Sequence, residues 1–419
     1  MKKSLKVISL ILGICILFTG CAGKKAYEDE TNSSYEPLFE DLKQNNPPAD
    51  ANLLSDTRYS IADFGLSMLQ YSINLNDTNP MVSPISILSA LGMLSNAAVG
   101  ETRDDMETAM QMTVPELNSY LYSYIQSLPT TENNFHLANG IWWNSDSTSD
   151  LNPEFLQTIY DYYGPNIYAE IFDDNTDDEI NSFVDENTLG MIPEIIDGVD
   201  PSASMVLVNA LAFEGSWKNA YEEYDIQDGR SFTNIDGTTS DVTMLCMTEN
   251  RYITMDNAQG FIKYYAGDEY AFVALLPNEG VDFNQFVSGL SGESLITAIE
   301  SASSESVQTA LPKFTSEYTT LLNEPLAALG MGSVFECPDF SGMMVDGKQF
   351  NVPIDKVIHK TYIDVNEDGT RAAASTAIVV DETAEFGDEV SVILDRPFVY
   401  AIIDTATCTP VFLGTVTGL

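Results

Sequence analysis

The apolar positions of this chain follow a helical spacing in its first part and gather into short, strand-like runs later. Residues 57–73 place Ile61, Phe64 and Met68 on one face, which predicts an amphipathic helix. Ser83 is a good N-cap and Pro84 suits the first helical position, so a second helix should open there and carry the apolar run to Leu94. Thr176-Asp177-Asp178-Glu179 reads as a capping box, with Ile180, Phe183 and Val184 as the buried stripe behind it. The carboxyl half holds the clearest strand signals, at residues 205–213, 270–277, 357–366, 398–404 and 410–416. Helices first and strands later predict an α+β fold. Nothing divides the chain after residue 54, so residues 55–419 are expected to form one domain.

One segment is unlike an ordinary loop. It runs from Glu367 through the turn-prone pair Asp368-Gly369, then through small residues, to the β-branched Ile378, Val379 and Val380. In a strand, alternate residues share a face. One face would hold Thr370, Ala372, Ala374, Thr376, Ile378 and Val380, all small or apolar. The other would hold Arg371, Ala373, Ser375, Ala377, Val379 and Asp381, so both charges stay in water. A solvated loop does not need that pattern, whereas a segment that leaves a loop and enters a packed sheet does.

The segment resembles the hinge and reactive loop of the serpins, and further motifs in family order extend the resemblance over nearly the whole chain after its first residues. Ser83-Pro84-Ile85-Ser86-Ile87 is similar to the family's Ser-Pro-x-Ser-Ile, and Asn96-Ala97-Ala98-Val99-Gly100-Glu101-Thr102 to the turn that follows, with Asn96 for a Gly. Ile180-Asn181-Ser182-Phe183-Val184, with Thr188 and Gly190, has Phe183 where the family has Trp. Leu207-Val208-Asn209-Ala210, continuing through Phe213 and Gly215 to Trp217, resembles a family strand. Leu311-Pro312-Lys313-Phe314, Leu329-Gly330-Met331, Asp339-Phe340-Ser341-Gly342-Met343, His359-Lys360 and Arg396-Pro397-Phe398 follow in order.

The resemblance implies three β-sheets, about nine helices and an exposed reactive-centre loop. It implies an inhibitor rather than an enzyme. In the mechanism it implies, a serine protease would cut the loop, and the loop would then insert into the central sheet with the acyl-enzyme still attached, a case of stored strain released by strand addition. The hinge would comprise Glu367, Gly369, Thr370, Ala372, Ala373 and Ala374. Lys313, Trp217, Ser83, Ser86, Asn209 and His359 would form the region where the sheet opens. Lys313 would pair with Glu367, and His359 would join a network with Asn209, Ser83 and Ser86. Family spacing puts the cut at Thr383-Ala384, with Glu382 and Phe386 as alternatives. Thr383 suits an elastase-like or subtilisin-like protease, because no Arg or Lys lies near the bond. A non-inhibitory serpin used as a surface binding protein is the other reading, and the small hinge residues speak against it.

Composition adds limits. The formal net charge is −45, from 18 basic and 63 acidic residues, so no nucleic-acid partner and no heparin-type site are expected. The acidity serves solubility, or it steers in cationic proteases. Lys2, Lys3 and Lys6 precede an apolar run over residues 7–18 that is too short to span a bilayer, which reads as an export signal. It ends Phe18-Thr19-Gly20-Cys21, similar to the bacterial lipoprotein box. Residues 1–20 are thus expected to be removed and Cys21 lipidated, giving a membrane-anchored protein that faces outward, or a secreted one if Cys21 stays unmodified. Residues 22–54 are polar and acidic with Pro37, Pro47 and Pro48, and read as a flexible tether. Cys246, Cys337 and Cys408 allow one disulfide at most and read as free thiols. A monomer is expected.

Candidate chemistry is sparse. His136 and His359 are the two histidines, and His359 lies next to Lys360 with no nucleophile near it in sequence. Asp364, Asn366, Asp368 and Gly369 copy the start of a calcium loop, but its twelfth position is Ser375 rather than Glu. No metal and no cofactor are expected.

Overall fold

A computed structural model describes residues 36–37, 42–74, 78–128, 135–145, 151–164, 167–347, 349–351, 354, 356–370 and 390–419. Three sheets with helices around them make up the expected α+β architecture. Five longer strands of the large sheet are labelled here in chain order: β1 Phe135–Asn144, β2 Ile167–Glu170, β3 Met205–Phe213, β4 Phe314–Leu321 and β5 Val357–Val365. Across the sheet they run β2, β1, β3, β5, β4. β3 and β5 lie side by side and parallel, with His359 opposite Asn209. β1 runs antiparallel to β3, with Asn139 opposite Asn209.

A second sheet carries Ala258–Tyr264, Tyr270–Pro277, Phe398–Asp404 and Pro410–Val416. A third carries Ile226–Thr233, Thr239–Glu249, Val307–Pro312 and Val390–Ile393. Four of the five strands expected from sequence have the expected bounds, and the fifth, β5, stops one residue early at Val365. The helix expected over 57–73 spans Arg58–Asn74, with Ile61, Phe64 and Met68 buried. The helix Pro84–Ser95 opens as expected, the Ser86 amide donating to the Ser83 hydroxyl at 3.2 Å. All its residues are buried, as befits a helix without a polar face. The helix Thr176–Asn187 covers the outer face of the large sheet, where Ile180 and Val184 meet Trp142, Val206 and Val208.

Two expectations need correction. Thr176 does not cap its helix: Asn175 holds that position without a side-chain bond, and the Thr176 hydroxyl accepts from the Asp173 amide at 3.0 Å. The motif lies one residue inside the helix because Thr176 stabilises the turn before it. The tether expected over 22–54 gives way to packed structure before its end. Glu36–Pro37 pairs with β2, Asn45 donates to Asp161, and Asp50 caps a helix over Ala51–Asp56 while its amide donates to Ser123 at 2.8 Å. Leu42 and Leu53 pack on the core and Leu54 is buried, apolar anchors that a polar average over the segment conceals.

Candidate functional site

The top of the large sheet holds the start of the small-residue segment. After β5 the chain turns back at Asn366, whose side-chain oxygen accepts from the amides of Asp368 at 3.0 Å and Gly369 at 3.2 Å. That bond sets Asn366 in a turn. The turn brings Gly369–Thr370 back alongside β5 as a short strand, with Thr370 opposite Val365. On its other side Gly369 faces Ser216 and Thr370 faces Gly215. Two residues of the segment therefore lie between the two halves of the sheet's upper end. Gly215 packs closely there: a Cβ would come within 3.0 Å of the Tyr265 ring and 3.1 Å of the Phe213 ring, so the rings would have to give by a few tenths of an ångström.

Thr370 is fully buried, and its hydroxyl shares a 2.6 Å hydrogen bond with Tyr265. Burial pushes the Tyr265 phenol far above its ordinary range, so it stays neutral. The preceding residues are gripped by the segment 215–221. Trp217 donates its amide to the Asp368 carbonyl at 2.9 Å and its indole N–H to the Asn366 carbonyl at 2.9 Å. Tyr221 donates its amide to the Glu367 carbonyl at 3.0 Å. Lys313 and Glu367 form a half-exposed ion pair of 2.5 Å, and hydrogen bonding from Lys313 holds the Glu367 carboxyl below its usual range.

Lower in the sheet, the facing pair His359 and Asn209 is wholly buried. The Ser83 amide donates to His359 Nε2 at 3.1 Å, so Nε2 is an acceptor and the proton sits on Nδ1. Nδ1 then donates to Asn209 Oδ1 at 2.5 Å. Asn209 Nδ2 lies 2.7 Å from Ser86 Oγ and 2.7 Å from Asn139 Oδ1. Burial alone lowers the His359 pKa to about 3. Helix Pro84–Ser95 is thereby tied to both β3 and β5. Its two nitrogens are committed to this network, which leaves the ring no free nitrogen to act as a base.

The structure thus brings Lys313, Trp217, Glu367, Gly369 and Thr370 together at the sheet's upper end, and Ser83, Ser86, Asn209 and His359 at its middle. Ala372, Ala373, Ala374, the bond Thr383-Ala384, the alternatives Glu382 and Phe386, and Cys21 lie outside the described residues. Cys246, Cys337 and Cys408 are free thiols. Sequence reasoning missed Asn139 and Tyr265. Each reaches the site by cross-strand position, a relation without a local signal.

A family model described as Serpin (serine protease inhibitor) matches residues 59–419. The chain belongs to the serpin family. The crystal structure of the thermophilic serpin tengpin in the native state is 36% identical, with a TM-score of 0.83 over 92% of this chain and all of that one. The bovine leukocyte elastase inhibitor is 31% identical over 82% of this chain and 94% of its own length. Human thyroxine-binding globulin complexed with thyroxine is 25% identical, with a TM-score of 0.76 over 87% of this chain and 99% of that one. In the present serpin β3 and β5 are closed on each other below Gly369–Thr370, so a further strand can enter only by parting them.

Proposed function

We propose that this serpin is an irreversible inhibitor of elastase-like or subtilisin-like serine endopeptidases, cut at Thr383-Ala384 and held at a bacterial surface through lipidated Cys21. One observation carries the inhibitory reading: the hinge is already started. Gly369–Thr370 pairs with strands on both sides, in a register the following residues can continue. Continued downward, that register sets Ala372 against Phe213 and Ile363, Ala374 against Leu211 and Thr361, and Thr376 against Asn209 and His359. In β5 the odd-numbered positions from 357 to 365 face the core, so the small face of the segment is the one that would be buried. Arg371 would fall on the outer face between Glu214 and Asp364, where its charge suits both.

The energetics favour entry. Parting β3 from β5 breaks one ladder, and the inserted strand makes two. The net gain of roughly one ladder, about ten bonds at ~1 kcal/mol each, is on the order of 10 kcal/mol. That is comparable with the stability of a whole domain, enough to distort a bound protease. Insertion must still outrun deacylation, which is why bulk and charge are excluded from the inward positions.

Mixing the protein with a pancreatic-type elastase tests the reading by denaturing electrophoresis and mass spectrometry. The expected result is a denaturant-resistant complex and a released peptide beginning at Ala384. Cleavage without a complex, and without a gain in thermal stability of the cut protein, would favour a non-inhibitory binding role of the kind that thyroxine-binding globulin has.

A further inference from the structure

Beneath the hinge lies a buried charge. Lys263, in the second-sheet strand Ala258–Tyr264, has a side chain 1% exposed. Its ammonium donates to the Glu249 carboxylate at 2.8 Å, to the Asn219 carbonyl at 3.0 Å and to the Met247 sulfur at 3.3 Å. It also lies 4.3 Å from the centre of the Tyr221 ring and 5.3 Å from that of Trp217. Its three donors are all engaged, and the two aromatic faces complete its surroundings. Glu249 is the last residue of the third-sheet strand Thr239–Glu249.

A buried ion pair is seldom more stabilising than apolar side chains of the same volume. Stability alone therefore does not explain this one, but its contacts do. Trp217, Asn219 and Tyr221 all belong to the segment 215–221. That segment pairs with Gly369–Thr370 and takes up the carbonyls of Asn366, Glu367 and Asp368. The segment is also tied to the second sheet by backbone bonds, Lys218 donating to the Tyr264 carbonyl and Ala266 to that of Ser216, by the Trp217 ring stacked on Tyr265 at 4.5 Å, and by the exposed ion pair of Lys218 with Asp268. Lys263 adds a buried charged tie, and through Glu249 it extends that tie to the third sheet.

We propose that Lys263 and Glu249 are positioning residues for loop insertion: the pair fastens segment 215–221 to the second and third sheets and so keeps the hinge at its first two inserted residues until the loop is cut. This rests on the inhibitory reading above. Without the pair, the segment moves more freely and the top of the sheet opens more readily.

The test offers the intact protein a synthetic peptide copying residues 370–380. It follows uptake by native electrophoresis and by the gain in thermal midpoint. The double variant K263M/E249Q is expected to fold with a midpoint near that of the wild type. It should take up peptide about tenfold faster, the factor given by roughly one hydrogen bond of barrier. Lys263→Met alone should show the same acceleration, because it removes the bond to the Asn219 carbonyl that holds the segment. This single variant decides the question if the double variant does not fold. Val287→Ala, a core truncation at a buried residue of helix Phe283–Ser288, should lower the midpoint without speeding uptake. Uptake at the wild-type rate in the charge variants overturns the proposal, as does uptake that merely tracks the midpoint across all variants. A wild-type protein that takes up no peptide removes the insertion reading, and this proposal with it.

Discussion

Thr370→Arg turns the inhibitor into a substrate. Thr370 is fully buried, its hydroxyl bonded to Tyr265, with its backbone held between Val365 and Gly215. An arginine there has no acid facing it: Tyr265 is neutral and the nearby backbone is glycine. Burying an unpaired charge costs several kcal/mol. The hinge would instead leave its place between the strands, and insertion would begin two residues later against an occupied gap. Each ~1.4 kcal/mol added to the insertion barrier slows it about tenfold, so deacylation should overtake it. The expected result is full cleavage of the loop with stable complex reduced more than about tenfold. The measurement is the complex-to-cleaved ratio on a denaturing gel at a fixed protease ratio. Thr370→Ser, which keeps the hydroxyl, should stay near the wild type. An unchanged complex yield for the arginine variant would exclude insertion through this hinge as the trapping step.

That prediction could be framed from sequence, because the hinge pattern is local. Small residues at alternate positions announce a strand-to-be wherever they stand, and the turn at Asp368-Gly369 marks where it starts. β3, β5 and the strands Tyr270–Pro277, Phe398–Asp404 and Pro410–Val416 were equally legible, since continuous apolar runs such as Met205–Phe213 have few other uses. What escaped was everything set by neighbours across a ladder. β1 interrupts its apolar residues with His136, Asn139 and Gly140, and it lies among the helices of the first part. Asn139 matters because it faces Asn209, and Tyr265 because it meets Thr370. Lys263 looks like a surface lysine in a strand until Glu249, brought in from another sheet, covers it. The tether erred differently: three leucines decide that packing, and composition counts them as a minority.

Acid should loosen the middle of the sheet through His359. The Ser83 amide points at Nε2, and Asn209 Oδ1 takes the proton on Nδ1. A second proton would turn Nε2 into a donor facing a donor, with its charge fully buried, hence the pKa of about 3. The unfolded side chain has the ordinary value of about 6.5. Above that value the ring is neutral in both states and pH has no effect through it. Below it the unfolded chain binds a proton that the folded protein refuses, so stability falls as pH falls, until both states are protonated near pH 3. The gap corresponds to about 5 kcal/mol in all, at ~1.4 kcal/mol per pH unit.

His359→Gln isolates this term. Glutamine supplies one acceptor and one donor group without titrating, and the carboxylates contribute equally to both proteins. Denaturant unfolding between pH 7 and pH 4 should show the wild type losing stability more steeply than the variant, by about 1.4 kcal/mol per unit. Parallel curves would mean that the network tolerates the imidazolium. Because the same bond joins β3 to β5, the acid term also reaches the function. Uptake of the hinge peptide by the wild type should accelerate on acidification, and in the glutamine variant it should accelerate less. If both proteins respond alike, the opening of the sheet is controlled elsewhere along the strand pair.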